Sequence, residues 1–247
     1  MIAVTAVLPD TPSDSPPVVL VHGAANSAIV WTYWQQKLAA RGLASHAVDL
    51  RGHGKSEPVD LSSTTMSDYA DDVRGAIAPL GSKPLVMGWS MGGLVAMMVA
   101  GAGDALACVT LAPSTPTRTR DRNVPLRPGT FGADFYGITS NDPDDQPAMP
   151  DLDREERVVA LSSLGPESQY ARDDRKSGIV IESLASPLLV ITGSGDRLWP
   201  RDKYDDLWLP ADRIEIEGAS HWGLVLSRRA VAEEVSAVTE WASREAR

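Results

Sequence analysis

A single cysteine, Cys108, is all the thiol chemistry in this chain of 247 residues. One thiol excludes an internal disulfide and any multi-cysteine metal site. Phenylalanine is nearly absent, with Phe131 and Phe135 the only two. Positive charge is also scarce: 23 Lys and Arg stand against 33 Asp and Glu, a formal charge of -10. A net-acidic surface repels phosphate backbones and anionic lipid, which argues against nucleic acid or a membrane surface as partner. No apolar run nears the ~20 residues that span a bilayer. The N-terminus, MIAVTAVLPD, has no basic residue and meets Pro9-Asp10 too early for a signal peptide. The expectation is a cytoplasmic chain, monomer or homodimer, whose partner is a small molecule. Its 43% hydrophobic and 23% charged residues are ordinary for a globular protein long enough to bury a sizeable core.

The chain is organised by short continuous apolar runs. Val18 to Val21, Ala47-Val48, Leu85 to Met87, Leu106 to Leu111 and Leu188 to Ile191 read as strands buried on both faces of a parallel sheet. Ile2 to Leu8 and the alternating Arg213 to Ile216 read as edge strands, and Pro9 to Pro17 as a loop. Helical spacing lies between them, over 28–40, 67–80 and 91–100. A last helix carries Leu224, Val231, Val235, Val238 and Ala242 on one face, with Ser227 as N-cap. Alternating strand and helix predicts an α/β fold, a doubly wound and mostly parallel sheet. The alternation lapses over 113–186, a stretch rich in Pro, Asp, Arg and Ser, with helical patches only at 153–164 and 168–176. A stretch of that length in a compact fold reads as a functional insertion or a disordered loop.

Gly88-Trp89-Ser90-Met91-Gly92 follows one predicted strand and opens one predicted helix. A serine in that tight turn is pushed out of the sheet edge, and the helix start behind it favours developing negative charge. Other motifs fall in a set order around it. They are His22-Gly23 after an early strand, Asp49-Leu50-Arg51-Gly52-His53-Gly54-Lys55-Ser56 after the next, Gly193-Ser194-Gly195-Asp196, and Gly218-Ala219-Ser220-His221-Trp222. Together they resemble the α/β-hydrolase family, in its small, cap-bearing serine-hydrolase form. The resemblance spans nearly the whole chain. It implies a core of residues 1–112 and 187–247, and a mainly helical cap at 113–186. The N-terminal hairpin departs from the family, with one strand where relatives have two.

A serine hydroxyl needs a base within hydrogen-bond reach. Four histidines are available: His22, His46, His53 and His221. His22 follows the strand that serves the oxyanion site, and His53 sits in a glycine-flanked turn, so both read as structural. His46 lies at a strand start. His221 lies on the loop after the last strand and is the expected base. Asp196 is the expected acid, although it could merely cap the short helix near Pro200. The preceding strand ends at Leu111-Ala112-Pro113 with no acid before Asp121. The oxyanion donors expected from the resemblance are the backbone N–H groups of Met91 and Ala24, with Ala25 as fallback.

Trp89, Trp199 and Trp222 lie beside triad members, where pocket lining competes with plain packing. Phe131 and Phe135, spaced i,i+4, either wall the site or anchor the cap. Cys108 reads as an inert buried thiol. The acidic run 142–153 lacks EF-hand spacing and reads as a solvated loop, so no metal is expected. The reading that follows is a cofactor-independent esterase acting on a small or medium, partly apolar substrate. The same triad also serves C–C bond, lactone, thioester and amide hydrolysis and perhydrolase or haloperoxidase chemistry. A non-catalytic ligand receptor on the same fold is the remaining reading.

Overall fold

The computed structural model describes residues 1–11 and 15–245; residues 12–14 of the expected loop lie outside that range. The chain runs through β1 (Ala3–Val7), β2 (Val18–Val21), α1 (Thr32–Ala39), β3 (Ser45–Asp49), α2 (Met66–Ile77), β4 (Leu85–Trp89), α3 (Met91–Gly101) and β5 (Ala107–Leu111). It continues through β6 (Thr130–Phe131), α4 (Arg154–Ser162), β7 (Glu167–Ser168), α5 (Gln169–Ser177), β8 (Leu188–Gly193), β9 (Asp212–Ile216), α6 (Gly223–Leu226) and α7 (Arg228–Glu245). Among the described residues, seven strands form one sheet in the order β1-β3-β2-β4-β5-β8-β9. Every pairing in it is parallel except β1 with β3.

The continuous apolar strands have a simple cause. Alternate side chains point into two different layers, and both layers are dry. Val18, Leu20, Leu85, Met87 and Trp89 pack with Trp31, Trp34, Leu224, Val235 and Trp241. Val19, Val21 and Val86 pack with Tyr69, Val73, Leu94 and Val95. The apolar helix α3 is buried on nearly every side, as its composition requires. Cys108 sits fully buried in β5, where loss of solvent pushes its thiol pKa up.

Two helices are more broken than their periodicity suggests. The stretch over 28–40 starts as a 3-10 turn, Ala28–Trp31, before α1. Leu224 lies on the separate short helix α6, and Ser227 stands at the junction with α7, its carbonyl accepting the Val231 N–H at 2.9 Å. The segment between β5 and β8 is also less helical than expected. It holds two nine-residue helices, a 3-10 turn at Ala133–Tyr136 and the short pair β6–β7. The rest is turn and irregular chain, because its Pro- and Asp-rich sequence offers no sustained apolar stripe. Where helix does form, caps set its start. Asp153 and Glu156 make a reciprocal capping box on α4, and the Ser168 side chain accepts the Ala171 N–H on α5.

Among the described residues several buried side-chain polar atoms lack a hydrogen-bond partner, and Glu234 is the residue left with two of them. Glu234 of α7 is fully buried, and neither carboxyl oxygen has a hydrogen-bond partner. Burial, with the nearby charges of Glu233 and Asp151, drives its pKa well above the usual carboxylate range. The unfolded chain therefore ionises at a pH where the folded one still holds its proton. This group's contribution to stability is full below the ordinary carboxylate pKa and is lost as pH rises towards the raised value. Glu234→Met is accordingly expected to stabilise the protein by about 1–3 kcal/mol, a rise in Tm of roughly 2–4 °C per kcal/mol. Thermal melts at pH 5 and pH 8 check this, and the gain should be larger at pH 8.

Candidate active site

Ser90 stands where β4 ends and α3 begins, at the carboxyl edge of the central strands. Its φ of 56° places a non-glycine residue in the left-handed region, which costs about 1–3 kcal/mol. Backbone bonds hold it there. Its N–H donates to the Leu111 carbonyl at 2.9 Å, and its own carbonyl accepts the N–H groups of Gly93 at 3.1 Å and Ser114 at 2.9 Å. The glycines of the motif allow the fit. A Cβ at Gly88 would lie 2.0 Å from the Gly92 carbonyl oxygen, and one at Gly92 would lie 2.3 Å from the carbonyl oxygens of Val21 and His22. Strand, helix and the loop after β2 thus touch backbone to backbone around Ser90.

Asp196 and His221 come from the turns after β8 and β9, at the same sheet edge. One carboxylate oxygen of Asp196, Oδ1, accepts the N–H groups of Leu198 at 2.8 Å and Trp199 at 2.9 Å. The other, Oδ2, lies 2.7 Å from His221 Nδ1. The two roles weighed for Asp196, turn-holding and imidazole orientation, are therefore carried by different oxygens. Burial pushes the Asp196 pKa up, but the His221 hydrogen bond and the two backbone N–H groups outweigh it, and the net shift is down. The carboxylate stays charged at neutral pH.

The histidine loop is fixed from two sides. The Trp89 indole N–H donates to the His221 carbonyl at 3.0 Å, and Asp151 accepts the Ser220 N–H at 2.9 Å. The Trp89 ring packs on both the His221 imidazole and Trp222, with centroids 5.1 and 5.0 Å away.

These residues meet at one cavity of about 600 Å³. Ser90, Asp196, His221 and Ala24 line it, and so do all three neighbouring tryptophans, Trp89, Trp199 and Trp222. Phe131 and Phe135 do not. The i,i+4 spacing would align them on an α-helix, but Phe131 lies in β6 and Phe135 in the 3-10 turn, so they turn towards each other instead. Phe135 is half exposed and lies under the Arg172 guanidinium, 4.1 Å from the ring centre. Both residues anchor the segment between β5 and β8 to itself.

Met91, as the first residue of α3, carries one of the N–H groups that a helix start leaves without an intrahelical partner. The Ala24 N–H has no acceptor among the described residues. Ala25, the fallback donor, is unavailable because Glu167 accepts its N–H at 3.0 Å.

His22 and His53 are buried and make structural contacts, as read from their positions. His22 Nε2 accepts the Leu50 N–H at 3.2 Å, so Nδ1 carries the proton and donates to the Gly23 carbonyl at 2.8 Å. Burial, and then the neighbouring His53, lower the His22 pKa to about 4, so it is neutral at pH 7. His46 lies within β3. Among the described residues no group of three or more His, Cys, Asp or Glu could hold a metal ion, and no helix is long and apolar enough to cross a membrane.

The sequence model of the alpha/beta hydrolase family matches residues 18–234. The chain belongs to that family. This hydrolase is similar to the pimeloyl-(acyl-carrier protein) methyl ester esterase of Pectobacterium carotovorum subsp. carotovorum, 28% identical over 257 residues that cover 90% of this chain and 94% of the relative. The protein of the same name from Sodalis glossinidius is 37% identical over 187 residues, covering 71% of this chain and 63% of that one. Among solved structures, a thermophilic esterase from Thermogutta terrifontis superposes with a TM-score of 0.73 at 19% identity, covering 100% of this chain and 94% of the other. Polyneuridine aldehyde esterase gives a TM-score of 0.72 at 18% identity, over 92% of this chain and 100% of that one. At such identities these structures speak for the fold alone.

The far wall of the hydrolase's cavity escaped sequence reasoning. Ala133, Tyr136, Ile138, Ala148 and Leu164, all from the connection between β5 and β8, close it. They share no periodicity. The one available signal was Tyr136 adjoining the singled-out Phe135. Arg197, an exposed cation next to Asp196, also lines the cavity and was passed over.

Proposed function

We propose that this alpha/beta hydrolase is a cofactor-independent serine esterase acting on a small or medium, partly apolar substrate. The observation that carries the reading is the convergence of three motifs at one cavity: Ser90 on its strained turn, and His221 locked by Asp196 through Nδ1. With Nδ1 engaged, Nε2 is the ring nitrogen left to exchange a proton with the serine. Ser90 Oγ attacks the ester carbonyl as His221 takes its proton. The N–H groups of Met91 and Ala24 receive the developing oxyanion. His221 returns the proton to the leaving alcohol, and water releases the acid by the reverse sequence.

The segment 113–186 acts as the cap, since its side chains form the far wall of the cavity. Ester cleavage is favoured over the other reactions of the triad by the relatives, which are named as methyl ester esterases. A fluorophosphonate probe tests the nucleophile directly. One equivalent should add to the Ser90 peptide, read by mass spectrometry, and ester turnover should stop in proportion. Labelling elsewhere, or none, overturns the assignment.

A further inference from the structure

The loop that carries Ala24 is held by a strip of the segment between β5 and β8. Ser163, Gly165 and Glu167 follow one another at every second residue, and each bonds to residues 25–26. The Ser163 hydroxyl donates to the Asn26 side-chain oxygen at 2.7 Å, and the Gly165 N–H donates to the Ala25 carbonyl at 3.0 Å. Glu167 Oε2 accepts the Ala25 N–H at 3.0 Å. Ala25 has a φ of 58°, so the loop turns through the left-handed region on a residue that is not glycine. Such a bend persists only where its surroundings over-determine it. Ser163 is buried too, and its hydroxyl also lies 2.6 Å from the Ala160 carbonyl, but Glu167 alone of the three brings a carboxylate, fully buried and held by two further donors. Its Oε1 accepts the Tyr69 hydroxyl at 2.5 Å and the Ser168 N–H at 2.7 Å. His53 Nε2 faces Oε2 at 3.6 Å.

We infer that Glu167 is a positioning residue for the oxyanion site: its carboxylate takes the Ala25 N–H, fixes the bend, and so aims the neighbouring Ala24 N–H at the cavity. This rests on the serine-hydrolase reading above. Burial works against charge on Glu167, but the facing His53, with Tyr69, holds its pKa down to about 2, so the acceptor is a carboxylate at working pH. The arrangement also gives the turn around His53 a task. His53 Nδ1 is held by the Arg51 carbonyl at 2.9 Å, which turns Nε2 towards the glutamate. The cap segment is then tied to the chemistry through backbone geometry, without touching the substrate at this point.

The test uses two variants of the full chain. Glu167→Gln keeps the volume and one acceptor; Glu167→Leu keeps the approximate size with no acceptor. Misplacing one oxyanion donor costs roughly 100-fold. On short p-nitrophenyl esters, kcat is expected to fall about tenfold for the glutamine variant and about 100-fold for the leucine variant, with KM within about threefold. Inhibition by a trifluoromethyl ketone, which forms a tetrahedral adduct on the serine, should weaken by the same factors. A general structural defect would not make the inhibition constant track kcat at constant KM. A glutamine variant with kcat and inhibition both within twofold of wild type overturns the inference, as does a loss that appears in KM alone. If the leucine variant does not fold, the glutamine variant decides by itself. Fluorophosphonate labelling of the wild type separates the two levels. Failure to label Ser90 sinks the serine-hydrolase reading, whereas a labelled wild type beside an unaffected Glu167→Gln sinks only the role of Glu167.

Discussion

Ser90→Ala is expected to lower kcat for short p-nitrophenyl esters by roughly 10⁶-fold, to the residual rate that an oxyanion site and substrate binding supply alone. KM should change little, because removing one hydroxyl leaves the rest of the cavity lining in place and takes away an interaction made in the transition state. The size of the effect follows from the chain's poverty in nucleophiles. Cys108 is buried in β5 with its thiol pKa raised, so it offers no thiolate in place of the serine. The substitution should also be harmless to the fold. Ser90 is held by its backbone N–H and carbonyl, and both survive in alanine. Steady-state kinetics with thermal melts check both halves. Equal activity in the two proteins would mean that Ser90 is not the nucleophile.

Asp196→Asn is expected to cost about 10⁴-fold in kcat with the fold retained. The hydrogen bonds around Asp196 make the direction of the effect specific. Oδ1 accepts two backbone N–H groups, from Leu198 and Trp199. An asparagine must keep its amide oxygen there, since an NH₂ group would face two donors. Its NH₂ then faces His221 Nδ1, which is forced to accept. The imidazole proton moves to Nε2, and the ring can no longer take the serine proton. The negative charge that steadies the imidazolium is lost as well. The fluorophosphonate labelling rate of Ser90 should fall along with kcat, because both need the same base. A variant within tenfold of wild type on both measures would separate Asp196 from the chemistry.

The parts of the site that were legible in the sequence share a physical origin. Each of Ser90, Asp196 and His221 lies within a few residues of a parallel strand's carboxyl end, and its motif encodes its own local turn. Gly88 and Gly92 report a backbone contact so close that no other residue fits, and that requirement is readable without coordinates. For His22 and His53 only the contacts with Gly23 and Arg51 are set by their local turns; the Leu50 N–H on His22 and the Glu167 carboxylate facing His53 come from distant stretches of chain.

Phe131 and Phe135, open between walling the site and anchoring the cap, show the opposite case, since neither lines the cavity. An i,i+4 pair shares a face only on an α-helix, and here one residue lies in β6 and the other in a 3-10 turn. The cavity wall of Tyr136, Ile138 and Leu164 comes from irregular chain, where no period links sequence separation to direction. The clamp of Glu167 on Ala25 joins residues 142 positions apart, and no local pattern announces it.

By itself, then, the sequence determined the doubly wound sheet, the order of the motifs and the identity of the three converging side chains. Strand runs and tight turns are short-range features, dictated by burial on two faces and by steric limits on φ and ψ. Only the tertiary structure decided that the Ala25 N–H is engaged by Glu167, which aromatic side chains line the cavity, and how the segment after β5 grips the loop after β2. Those depend on contacts between distant stretches of chain, whose register is set by packing as a whole and not by any residue's neighbours.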